Sequence, residues 1–175
     1  MAKPRKMLGR VEDAAIQELM ELIATQSRET LAAWAAAFVR AAYLPIYETA
    51  CPGDERPRAA LDGCERCLSG AMAWKEMKLL GKEARSAAVE AEALPAAQAA
   101  ARAIATACGV YNTPTNALGF VFCGAAAAAY SAQGIQAPPA RLDQLALQEE
   151  ERILESLRAV AMAEEPCPVK VAWNC

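Results

Sequence analysis

The stretch from residue 114 to residue 131 reads PTNALGFVFCGAAAAAYS, and it decides the fold. Thr113-Pro114 at its start pairs an N-cap residue type with a proline, which suits the first turn of a helix. Gly134 just beyond it suits a helix end. Between these signals the residues are apolar nearly all round. A helix of this kind has no face to give to water and belongs in the centre of a domain. Gly119, Cys123 and Gly124 form a small-residue surface on it, where another backbone can pack close. The apolar window 118–132 is mostly alanine and glycine and too short to span a bilayer.

Working outward, helical spacing recurs on both sides. Ile16, Leu19, Met20 and Ile23 fall at i, i+3, i+4, i+7 and mark a first helix over roughly 12–26. Ser27 is placed to cap a second, which carries Leu31, Trp34, Ala35 and Phe38. Pro45 removes one backbone bond, so Leu44–Ala50 is either a kinked continuation or a separate turn. A third helix starts near Glu55, carries Ala60, Leu61, Cys64, Cys67 and Leu68, and stops at Ser69-Gly70. A fourth, over about 73–93, aligns Met77, Leu80, Ala84, Ala87, Ala88 and Ala91. Pro95 opens a fifth, with Ala97, Ala101, Ile104 and Cys108. After the central helix, Pro138-Pro139 lead into a seventh, with Leu142, Leu145, Ile153, Leu154, Leu157 and Val160 on one stripe. Residues 164–175 contain two prolines and are expected to run extended, pinned by Trp173.

Composition agrees with this pattern. The hydrophobic fraction is 55%, much of it alanine, while aromatics make up 6%. Alanine favours helix and lets helices approach closely. The expected fold is all-α, a single compact bundle of about seven helices with an extended C-terminal tail. It occupies residues 12–175 and follows a flexible basic tail over 1–11 that carries Lys3, Arg5, Lys6 and Arg10.

A net charge of −3 gives no electrostatic footprint for nucleic acid. No apolar run follows the basic start, so it does not read as a secretory signal, and a cytoplasmic protein without a membrane partner is expected. The seven cysteines include the pair Cys64 and Cys67, which reads as mid-helix. Core thiols are the first expectation, with metal or redox use the alternative. A zinc site would need two more ligands, and the chain contains no histidine. Without imidazole a nucleophilic cysteine lacks its usual partner, and no strand precedes a glycine-rich phosphate loop. No enzyme activity, metal or cofactor is expected.

Two polar turns remain as candidate binding residues. The first runs from Cys51 to Arg58 and reads CPGDERPR. Asp54 is placed to cap the following helix, and Arg56 and Arg58 can offer planar donor forks to a carboxylate or phosphate. The second holds Asn112, Thr113, Thr115 and Asn116 between two very apolar helices. Its amides and hydroxyls can satisfy local backbone groups or line a pocket.

Several ordered pieces resemble the immunity proteins of bacterial polymorphic toxin–immunity systems, an all-α family. They are Leu31-Ala32-Ala33-Trp34, Leu44-Pro45-Ile46-Tyr47-Glu48, the turn 51–58 with Ala59-Ala60-Leu61, the run 95–103, Thr115-Asn116-Ala117-Leu118-Gly119, and the ending Ala172-Trp173-Asn174-Cys175. Together they cover roughly residues 28–175. The resemblance implies a cytoplasmic protein that binds and silences a toxin without chemistry of its own. Such relatives tend to carry histidines around Arg85, Asn112 and Asn116, where this chain has none.

The resulting expectation is a non-enzymatic, immunity-like protein with a cognate toxin as partner. Glu83, Glu90 and Glu92 on the fourth helix, with Glu149, Glu150 and Glu151 on the seventh, are the expected docking surface for a basic toxin. The alternative is a small-molecule-binding helical protein, with a polar pocket near Arg56, Arg58, Asn112 and Asn116. Self-association as a homodimer is a further expectation.

Overall fold

A computed structural model describes residues 4–174. Lys3 and Cys175, named above in the basic start and the Trp-Asn-Cys ending, lie outside the described residues. The described chain forms eight α-helices: α1 (Ala14–Ile23), α2 (Arg28–Ala42), α3 (Leu44–Ala50), α4 (Arg56–Leu68), α5 (Met77–Glu90), α6 (Pro95–Ala107), α7 (Asn116–Gln133) and α8 (Pro139–Arg158). Short 3₁₀ turns at Trp74–Glu76 and Ala91–Ala93 flank α5.

The all-α expectation holds, and α7 is central. It packs on α6 and α8 and also touches α1 and α2, while α6 packs on α5, α3, α2 and α4. Eleven residues of α7 are buried, among them Ala117, Phe120, Val121, Gly124, Ala125, Ala126 and Ala129. The facing helix α6 buries Ala97, Ala100, Ala101, Ala103, Ile104 and Ala107. Side chains this small let two helix axes approach toward the short end of the usual range of about 8–10 Å. The seam is therefore held by dispersion contacts between backbones as much as between side chains.

The eighth element is Leu44–Ala50, which forms a helix of its own. Tyr43, at φ −114° and ψ −27°, separates it from α2, and Pro45 sits in its first turn. A proline there would clash with a continuing α2, but in a new first turn its missing N–H is harmless. The central helix begins at Asn116, two residues later than its Thr-Pro signal. The N–H groups of Asn116 and Ala117 donate to Thr113 and Pro114, three residues back, so the chain first makes a tight turn. The expected cap of α2 is in place, with Ser27 Oγ accepting from the Thr30 N–H at 3.2 Å.

Both ends of the described chain are fastened to the bundle. The basic stretch expected as a flexible tail is docked from Arg5 onward. Leu8 is 1% exposed and its N–H donates to the Phe122 carbonyl, while the Tyr130 hydroxyl donates to the Arg5 carbonyl. At the other end, residues 161–174 run without helix, as expected. Trp173 packs partly buried, but the main anchors are Val169, whose N–H donates to Gln26, and Glu165, which accepts from the Ser27 N–H at 2.9 Å and its hydroxyl at 2.6 Å.

Candidate functional site

The turn before α4 is built around one arginine. Asp54 accepts from the Arg56 backbone N–H at 3.1 Å, which tethers the start of α4. The Arg56 guanidinium then doubles back, with Nε 2.9 Å from Asp54 Oδ1 and Nη2 2.6 Å from Oδ2. Its other edge grips Glu90 at the end of α5, at 2.9 and 2.7 Å. Tyr47 of α3, buried, donates its hydroxyl to Asp54 at 2.7 Å. The Arg56 bonds hold the Asp54 carboxyl well below the usual carboxylate range, against the opposing effect of burial. Burial first, and then the bond to Asp54, push the Tyr47 phenol up. Arg58 pairs bidentately with Glu48 at 2.7 and 2.8 Å. Every planar fork in this turn is filled by a carboxylate of the same chain. The network joins α3, α4 and α5, and it sits partly exposed at the surface.

The second polar turn, between α6 and α7, does border a cavity. A cleft of about 450 Å³ is lined by Asn112, Thr113 and Asn116 on one side and by Trp74, Lys75, Lys78, Gly81 and Arg85 on the other. Arg56 and Arg58 do not line it. The expected pocket is thus corrected: its cationic wall is the solvent side of α5, and the 51–58 turn is a separate structural clamp. The sequence signal for this wall was present as Lys75, Lys78 and Arg85, at spacings of three and seven that fall on one side of a helix. Trp74 stacks flat on Tyr111, with centroids 3.9 Å apart and planes 3° from parallel.

The acidic docking surface is corrected more strongly. Glu149 is 7% and Glu150 0% exposed. They fall seven and eight residues after Leu142 and four and three before Ile153, which places them on the buried stripe of α8. Glu149 accepts from the Tyr43 hydroxyl at 2.6 Å and from Arg152 at 2.8 and 2.7 Å. Both oxygens of Glu150 lack a donor among the described residues. Burial, followed by the nearby Asp13 charge, raises its pKa to about 8. Glu90 is committed to Arg56. Glu151 is exposed and Glu83 half-exposed.

Cysteine chemistry follows the core reading for four thiols: Cys64, Cys67, Cys108 and Cys123 are buried and unbridged. Burial pushes the Cys123 thiol up to about 11, away from reactivity. Among the described residues, no group of three or more His, Cys, Asp or Glu could hold a metal ion. Nor is any helix there long and apolar enough to cross a membrane.

Residues 21–156 match a family model described as "Imm-5 like putative immunity protein". The chain belongs to the Imm-5-like immunity protein family. The match spans nearly all of α2 to α8 and includes both polar turns, the cleft and the central α6–α7 pair. Membership supports a protein-binding role without catalysis for this Imm-5-like protein. Neither a curated protein nor a solved structure matches it.

Proposed function

We propose that this Imm-5-like protein binds a cognate bacterial toxin and neutralises it by occupying the toxin's working surface. The observation that supports the reading is the family match over residues 21–156. A bundle with a filled core and both ends of the described chain fastened presents its surface ready-made, so association needs little ordering of the chain. An acidic contact to a basic toxin is reduced to residues such as Glu83 and Glu151, because Glu149 and Glu150 lie inside. Capture of the tagged protein from its own host, followed by co-expression with the toxin recovered, tests the reading. Growth restored together with a stoichiometric complex supports it. Undiminished toxicity with both proteins soluble and present overturns it.

A second reading, a small-molecule-binding helical protein, is favoured by the cleft beside α5. Its volume falls within the usual range for ligand pockets, roughly 300–1,000 Å³. A ligand retained in native mass spectrometry would support it.

A further inference from the structure

The cleft gathers three positive charges and no negative one. Lys75, Lys78 and Arg85 line it, and none of its other lining residues is acidic. Among the described residues none of the three cations has an ion-pair partner, so all three charges remain available to a ligand. The chain carries 21 acidic residues against 18 basic ones. The cleft is therefore locally positive on a chain that is acidic overall.

The opposite wall supplies neutral donors. The side chains of Asn112, Thr113 and Asn116 make no hydrogen bond among the described residues, so their amides and hydroxyl are uncommitted. Asn116 opens α7, and the backbone bonds of the preceding tight turn fix its position at the cleft. Two glycines shape the space. A β-carbon at residue 109 would stand 2.6 Å from Asn116 Nδ2, so Gly109 is what lets that amide lie close. A β-carbon at residue 81 would stand 3.7 Å from the Arg85 guanidinium, so that guanidinium lies over Gly81 on the α5 wall. Trp74, backed by Tyr111, adds a flat aromatic wall.

We infer that this cleft binds a small phosphate-bearing molecule, its phosphate held between the Lys78 and Arg85 cations and the Asn112 and Asn116 amides. A phosphate monoester carries about −1.5 to −2 charge at neutral pH on three acceptor oxygens. That matches a site with several cations and several neutral donors better than a carboxylate with two oxygens does. Arginine's fork binds phosphate bidentately, while lysine acts as a point charge beside it. The inference rests on the second reading above, whose ligand class it names.

The test uses Trp74 fluorescence in the full chain, titrated at constant ionic strength with inorganic phosphate and with adenosine 5′-monophosphate. A saturable change is expected, weakened about tenfold or more in Lys78→Ala and Arg85→Ala. Lys82→Ala, which removes a charge from the same helix outside the cleft, should shift affinity less than about twofold. Circular dichroism confirms that each variant folds, and Trp74→Phe should remove the signal. Tighter binding of the nucleotide places an organic body against Trp74, whereas equal affinities make free phosphate the ligand; both outcomes uphold the site. No saturable change, or a change as sensitive to Lys82 as to Arg85, overturns it. A neutral or cationic molecule retained in native mass spectrometry, and lost in Asn112→Ala but not Arg85→Ala, would overturn the anion while leaving the small-molecule reading standing. An empty mass spectrum together with a silent titration would overturn both. A cleft that ignores both anions while Arg85→Ala weakens toxin binding would belong to the partner interface instead, and would also overturn the inference.

Discussion

Tyr43 lies directly across Gly124, so closely that a β-carbon at residue 124 would stand 2.3 Å from the phenol oxygen. The phenol passes over this gap in α7 to reach Glu149 of α8, 2.6 Å away. Gly124 is therefore the opening through which the end of α2 is joined to α8. Gly124→Ala should destabilise the fold by about 1–3 kcal/mol, because the ring must move off its bond to Glu149. Urea denaturation of the variant checks this. An unchanged midpoint would mean that the seam relaxes around an added methyl.

Arg56 connects three elements through two carboxylates. Its side chain is about one-third exposed, so water screens part of the attraction. Replacing it with methionine leaves Asp54, held otherwise by the Tyr47 hydroxyl, without its guanidinium. The expected loss is about 1–2 kcal/mol. Glu90→Gln should have a smaller effect, since that side chain is 63% exposed. Chemical denaturation of both single variants and the double variant measures the coupling.

Glu150 predicts a pH dependence. Its carboxyl lies under Gly9, where a β-carbon would meet Glu150 Oε1 at 2.0 Å, and it neighbours Asp13. Burial and a neighbouring negative charge both favour the protonated form. With a folded pKa of about 8 against the ordinary 4.5, the folded chain holds a proton that the unfolded chain has already released. Stability contributed by this group is fully present below about pH 4.5 and is lost as pH rises toward and through about 8. Glu150→Gln should flatten that slope and stabilise the protein at pH 8.5 on the order of 2 kcal/mol. Parallel melts at pH 5 and 8.5 for both proteins decide it. Equal slopes would show that Glu150 is ionised throughout.

Glu165 caps α2 from the far end of the chain. It accepts from the Ser27 N–H and hydroxyl and from the Thr30 hydroxyl. Burial raises its pKa, but these bonds outweigh it and the net shift is downward. Glu165→Ala should lower stability by about 1 kcal/mol and release residues 161–174. Faster amide exchange at Val169 than at Leu31 would register that release, and unchanged protection at Val169 would count against it.

The helices were legible because their signals are local. Prolines 95 and 139 open helices, Ser27 caps one, and apolar residues return at helical spacing. Pro45 alone is compatible with a kink or a new start, so the sequence does not decide the separate identity of α3. The site was less legible. Asn112, Thr113 and Asn116 were singled out by their turn, but their partners across the cleft come from α5, and tertiary placement alone decides that. Arg56 and Arg58 looked available as forks because the carboxylates that fill them, Glu90 and Glu48, lie 34 and 10 residues away in sequence. Charge alone points Glu149 and Glu150 outward. Their positions relative to Leu142 and Ile153 already pointed inward.

The α6–α7 seam also bears on how such a protein can change over generations. Ala97, Ala100, Ala101, Ala103, Ala125, Ala126 and Ala129 are fully buried, so an added methyl group must displace packed neighbours. Drift to larger residues is closed to them, and drift to glycine costs helix stability, roughly 1 kcal/mol per position. Change in what the protein recognises must therefore be written on the outer faces of its helices and turns. The centre acts as a fixed chassis, and the lineage has latitude only in its outer surface.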